Sequence, residues 1–208
     1  MRICVKIPEV FSIEFLKIAK CQYLYLQAEI QMPHNLPDPD QFVSSSLNSR
    51  EFAKNEEQLR SHCEEMEETL QSRQGLDKAF YLGRLGTYYR VLGEFDKSHE
   101  SLDKASEIVQ PGSHQAIAYT IRKAYTWHWQ GEFQKALDLL GPLCELESSY
   151  QHFALQHRGK CLMDFRQFAQ AKQDLEKALK IRVNEGNESL IQGNLGALQQ
   201  LKEKSSKS

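Results

Sequence analysis

Gly93-Glu94-Phe95-Asp96-Lys97-Ser98 decides the fold, because the chain repeats it. It returns as Gly131-Glu132-Phe133-Gln134-Lys135-Ala136, then, degraded, as Arg166-Gln167-Phe168-Ala169-Gln170-Ala171, at intervals of 38 and 35 residues. Two more markers keep that rhythm. Upstream, Leu85-Gly86 is echoed by Lys123-Ala124, Arg158-Gly159 and Leu195-Gly196, spaced 38, 35 and 37. Downstream, Leu102-Asp-Lys-Ala105 is matched by Leu175-Glu-Lys-Ala178, with Leu140 and Leu143 between them. Three independent markers in one register indicate an internal repeat, and a period of about 20–50 residues is the sequence sign of a stacked array.

Each marker has a physical reading. Gly93 and Gly131 make the turn. Gly86, Ala124 and Gly159 are small so that the paired helix can approach closely. Phe95, Phe133 and Phe168 fill the gap between hairpins. Ser98, Ala136 and Ala171 are small where the second helix touches the first, and Ala105 and Ala178 play that part for the next hairpin. No such hairpin buries its own apolar face, so neighbours must stack and a terminal helix must cover the end. Ser189 to Lys202, with Leu190, Leu195, Leu198 and Leu201, suits that cap after the turn-rich Asn184-Glu-Gly-Asn-Glu188. Lys202 to Ser208 reads as a frayed tail.

Over roughly residues 77–201 this pattern resembles the tetratricopeptide repeat. The resemblance implies an all-α fold of antiparallel helical hairpins stacked into a right-handed superhelix, an α-solenoid. Three hairpins fall at about 79–112, 117–150 and 152–185, with the cap and tail at 189–208. The chain departs from the family at Lys123 and Arg158, where a large apolar residue is usual, and at Arg166, which replaces the turn glycine. Pro111-Gly112-Ser113 supplies the extra residues of the first interval.

The N-terminal third lacks the markers. Val10, Phe11, Phe15, Ile18, Ala19, Tyr23, Leu26 and Ile30 recur mostly at three or four residues, which predicts a helix over 9–31. Three prolines within 32–40 stop it, and Ser44 to Ser49 prolong the break, so 1–49 reads as a helix and a Pro/Ser-rich loop. Ser49 is a good N-cap for a second helix from about Arg50 to Ser72. That helix carries Phe52, Leu59, Cys63, Met66 and Leu70 on one face. Glu51, Glu56, Glu57, Glu64, Glu65, Glu67 and Glu68 form the other, either a solvated face or an acidic contact surface. Its apolar spacing also suits a coiled-coil seam, hence a homodimer through 50–72. Gln74-Gly75-Leu76-Asp77 reads as a glycine stop and a fresh N-cap. Whether 1–76 adds a divergent hairpin is left open by these residues.

The bulk numbers exclude several classes. Among 208 residues, 40% are hydrophobic and 26% charged, ordinary for a soluble protein. A net charge of −2 supplies no basic field for a phosphate backbone, which argues against nucleic acid. Cys4, Cys21, Cys63, Cys144 and Cys161 are scattered, with no Cys-x-x-Cys pair, and read as small core residues of a reduced protein. Glu9, Glu14, Lys17 and Lys20 interrupt any signal-peptide core, and no stretch approaches the ~20 apolar residues of a membrane span. The expectation is a cytoplasmic protein. His152 and His157 stand five apart and miss the i, i+4 geometry of a helical metal site. The chain has no Gly-rich phosphate loop after a strand and no nucleophile elbow, so no catalysis, cofactor or metal is expected.

What remains is binding. The family resemblance, carried over residue by residue, implies a concave groove lined by Phe80, Gly83, Thr87, Arg90 and Val91 from the first hairpin. The second gives Ala118, Ile121, Tyr125, His128 and Trp129, and the third Phe153, Gln156, Lys160, Met163 and Asp164. A peptide or helix of another protein would lie there, making the chain an adaptor or scaffold. Gly83 and Thr87 occupy the first sites of the family's carboxylate clamp, so clamp activity is not expected. Trp127 and Trp129 cannot face the same way on a helix, so at least one belongs to the core. The other readings are a client-shielding chaperone or regulatory subunit of the secretion-chaperone type, and an RNA-binding repeat, which needs a basic groove.

Overall fold

The computed structural model describes residues 41–45 and 50–207, so the predicted helix over 9–31 lies outside the described residues. Within them the chain is almost wholly helical: α1 Glu56–Leu70, α2 Gly75–Val91, α3 Phe95–Ile108, α4 His114–Trp129, α5 Phe133–Glu145, α6 Gln151–Asp164, α7 Phe168–Glu185 and α8 Glu188–Ser205. One short antiparallel hairpin precedes them, β1 Val43–Ser45 paired with β2 Glu51–Ala53, with Val43 opposite Ala53. Among the described residues no helix is long and apolar enough to cross a membrane.

Each repeat marker closes one helix and opens the next. The amide of Glu94 donates to Tyr89 O at 2.8 Å, that of Glu132 to Trp127 O at 2.9 Å and that of Gln167 to Leu162 O at 2.8 Å. These are the six-to-one bonds of a Schellman stop, which needs a left-handed residue just before. Gly93 and Gly131 supply it at φ 75° and 83°, and Arg166 adopts the same conformation at φ 64°. Phe95, Phe133 and Phe168 are the first residues of α3, α5 and α7.

The small residues mark close approaches. A Cβ added to Gly86 would stand 2.6 Å from Leu102 Cγ, and one on Gly159 would stand 2.8 Å from Leu175 Cγ. Ser98 Oγ donates to Gly86 O at 2.6 Å, and Ser98, Ala136, Ala171, Ala105 and Ala178 are all fully buried. Pairs α2/α3, α4/α5 and α6/α7 therefore pack intimately. Helices α2, α4, α6 and α8 also touch one another in succession.

The N-terminal part differs from the expected course. Residues 51–53 are strand, not part of a helix over 50–72, because Asn55 is extended and its side chain accepts from the Gln58 amide at 3.1 Å. That cap starts α1 at Glu56 and leaves Phe52, expected on the apolar face, 49% exposed on β2. Val43 is a buried strand residue rather than part of a loop; Ser49 lies outside the described residues. Leu59, Cys63 and Met66 do face one way, and they pack against Phe80, Tyr81 and Tyr88 of α2. The face that suggested a homodimer seam is therefore covered within the chain. Helix α2 begins at Gly75, two residues before the expected cap Asp77, which instead pairs with Arg73. At the other end α8 continues through Ser205, four residues into the expected tail of Lys202 to Ser208.

Candidate functional site

The expected groove residues divide into two groups. Phe80 packs with α1, and Ala118, Ile121 and Phe153 lie in the largest apolar cluster, between α4, α5, α6 and α7. Thr87 is buried and its hydroxyl donates to Gly83 O at 3.3 Å, while Gln156 is sealed against Arg182. Gly83 faces Tyr119, whose Cε1 would lie 2.5 Å from an added Cβ, so this position joins α2 to α4 rather than facing a ligand. Val91 packs beside the α1–α2 core. These eight are packing residues, held against the neighbouring helices rather than open to a ligand.

The second group converges. Tyr125 and His128 from α4, Lys160, Met163 and Asp164 from α6, Gln200 and Lys204 from α8, and Arg50 before β2 line a cleft of about 410 Å³. Arg90 and Trp129 adjoin it. The Arg90 guanidinium stands 4.3 Å from the Tyr125 ring centre and 5.1 Å from that of Trp129, and it pairs with Glu51 of β2. Arg50 lies 5.6 Å from the Trp129 ring on its other approach. Trp127 points the opposite way, onto His99 and the main apolar cluster.

Asp164 organises the polar end. His128 Nε2 is 2.9 Å from its Oδ2, Lys204 pairs with Oδ1, and Arg50 stands 3.9 Å away. Burial works to raise the Asp164 pKa, yet the hydrogen bonds from His128 and Lys204 hold it below the usual carboxylate range. Burial pushes His128 down, so its neutral ring donates from Nε2. His128 Nδ1 is buried without a partner among the described residues. Burial likewise raises the Tyr125 hydroxyl to about 12 and lowers Lys160 to about 8.

Arg50, Gln200 and Lys204 were not foreseen as lining residues. The sequence pattern gave Arg50 to a helix, Gln200 to a purely structural cap and Lys204 to a frayed tail; charge alone does not show where such residues fold back. Cys63, Cys144 and Cys161 are buried, and burial raises each thiol to about 12, which suits packing rather than nucleophilic chemistry. Among the described residues no group of His, Cys, Asp or Glu side chains is placed to hold a metal ion. No protein-family model, curated protein or solved structure matches the chain.

Proposed function

We propose that the chain is a non-catalytic protein-interaction module, a tetratricopeptide-like adaptor. Its three hairpins and terminal helix wind as a right-handed superhelix, and the cleft between α4, α6 and α8 holds a segment of a partner protein. One observation carries the reading: aromatic and cationic side chains from three first-row helices and the β-hairpin edge converge on a single cleft. Such residues dominate protein contacts, because a ring buries much area and a cation fixes register. The titratable groups there are held by one another, His128 on Asp164 and Glu51 on Arg90, which supports recognition over proton transfer. The carboxylate of Asp164 on the wall also favours a peptide over a polyanionic nucleic-acid backbone.

The test is a pull-down from extract of the source cells, comparing wild type with Arg50→Glu/Lys204→Glu. Both side chains are about half exposed, at 55% and 51%, and circular dichroism of the variant checks that the fold survives the reversal beside Asp164. Loss of at least one stoichiometric partner is expected. If every captured protein survives the double reversal, this cleft is not the working surface.

A further inference from the structure

Lys160 is only 5% exposed, yet it makes no hydrogen bond or ion pair among the described residues. Enclosing a lysine costs free energy unless a counter-ion offsets it, and Lys160 lines the cleft, so its ammonium can be met from there. Its own surroundings do not meet it. The charges that act on it are Arg182 of α7, which opposes protonation, and Glu51 of β2 and Asp164 of α6, which favour it. Both carboxylates are already engaged, Glu51 by Arg90 and Asp164 by His128, Lys204 and Arg50. The enclosed ring of His157 feels Lys160, Arg90, His128 and Arg182 together, so positive charge is concentrated here. Arg50, Arg90 and Lys204 are the cations paired with the two carboxylates, Arg182 adds its charge against Lys160 from α7, and a third carboxylate, Glu185, stands beside His152 and acts on Arg182.

We infer that the cleft takes a carboxylate from an acidic side chain of the partner, seated on Lys160 and flanked at the rim by Arg50 and Lys204. This rests on the proposed function and names the chemistry of its ligand. The flat monoanion suits the site better than a phosphate dianion, which would face Asp164 and Glu51 with twice the charge. Tyr125 and Trp129 beside the cations offer ring surface to the apolar neighbours of that side chain. The site differs from the family's carboxylate clamp, whose first positions, Gly83 and Thr87, are buried here in packing.

The probe is a hexaglutamate peptide, acetylated and amidated so that every carboxylate belongs to a side chain. It is titrated calorimetrically into the full chain at low salt, beside capped hexaglutamine and inorganic phosphate. Saturable hexaglutamate binding is expected, weakened at least tenfold by Lys160→Met and unchanged by Lys202→Met on the exposed face of α8. Affinity should fall between pH 7 and 9.5 in the wild type, as unbound Lys160 loses its proton near 8, and stay flat in Lys160→Met. His128 and His157 are already neutral there, and the Tyr125 hydroxyl and the Cys161 thiol are raised to about 12; burial lowers Arg182 to about 9, but its hydrogen bonds to His152, Gln156, Leu190 and Asn194 hold its proton. If Lys160→Met does not fold by circular dichroism, Lys204→Gln at the rim carries the test with an expected threefold loss. Hexaglutamate binding no better than hexaglutamine, binding indifferent to both substitutions, or lysine-dependent binding of phosphate alone overturns the inference. A partner still lost on Arg50→Glu/Lys204→Glu would then leave the adaptor reading standing without it.

Discussion

Arg182 Nε donates to His152 Nδ1 at 3.0 Å, a contact between two side chains that are both almost completely buried. Geometry fixes the histidine: Nδ1 must accept, so the proton sits on Nε2, which points to Glu185 at 3.5 Å. A second proton would place a cation against the guanidinium. Burial, then the charge of Arg182, accordingly depress the His152 pKa to about 3.

Acid should therefore unfold this protein early. An unfolded histidine takes its proton near 6.5, whereas His152 folded stays neutral to about 3, so the unfolded state gains protons first as pH falls. His152 alone costs about 2 kcal/mol between pH 7 and pH 5 on that basis. His157, also held well below its usual value by burial, pulls in the same direction. Urea melts at pH 7, 6 and 5 should show midpoints dropping progressively, and His152→Gln should flatten the slope. A stability unchanged down to pH 5 would contradict the buried neutral tautomer.

Arg182 itself joins three helices. Besides His152 it donates to Gln156 Oε1 of α6 at 2.9 Å, and to Leu190 O and Asn194 Oδ1 of α8 at 3.1 and 3.3 Å. Asn194 passes the bond on to Leu175 O of α7 at 2.7 Å. Replacing Arg182 by Met fills the volume but removes the donor to three buried side-chain acceptors, His152 Nδ1, Gln156 Oε1 and Asn194 Oδ1. The loss should be roughly 3 kcal/mol or more. Because α8 hangs on this network, hydrogen exchange in residues 188–205 should quicken more than in α2. Uniform exchange across the chain would show that the arginine does not hold the terminal helix.

Gly86→Ala and Gly159→Ala should each destabilise by about 1–3 kcal/mol, the cost of overpacking. The new Cβ of Gly159→Ala would sit 2.8 Å from Leu175 Cγ and 3.2 Å from the Ala171 carbonyl. A shorter side chain at 175 removes the first clash and leaves the second. Gly159→Ala with Leu175→Ala should thus fall short of additivity by about 1 kcal/mol in thermal melts. Strict additivity would mean that the two helices do not meet through this pair.

The repeat part of the fold was legible because its markers are local. A glycine turn, an aromatic after it and a small residue at a fixed offset act within one hairpin, and Gly93, Phe95 and Ser98 show the pattern without any long-range partner. The hairpin before α1 was not legible. Glu51 and Phe52 continue an apolar spacing that fits a helix, and only the extended Asn55 cap and pairing with Val43 to Ser45 decide otherwise. Half of the cleft followed the same divide. Tyr125, His128, Lys160, Met163 and Asp164 share equivalent positions on α4 and α6, whereas Arg50 and Lys204 arrive from chain segments more than a hundred residues apart. Phe80, Ala118, Ile121 and Phe153 were expected at the surface because repeat position tells which helix side faces the next first helix, not how much of it stays open.

Arg166 offers a last test, since it stands where the other two turns carry glycine. Its φ of 64° matches 75° at Gly93 and 83° at Gly131, and the bond from Gln167 N–H to Leu162 O forms regardless. The turn geometry is thus imposed by helix packing on both sides, and the arginine bears the left-handed conformation that glycine accepts freely. Arg166→Gly should stabilise the chain by up to roughly 1 kcal/mol, and Gly131→Ala should destabilise it by a similar amount. Nothing lies within 4 Å of a Cβ at Gly131, so that cost isolates the backbone term from any clash. Urea midpoints with unchanged slope measure both. If Arg166→Gly weakens the protein, contacts of the arginine side chain outweigh the strain, and the departure from glycine at this turn is a gain in stability.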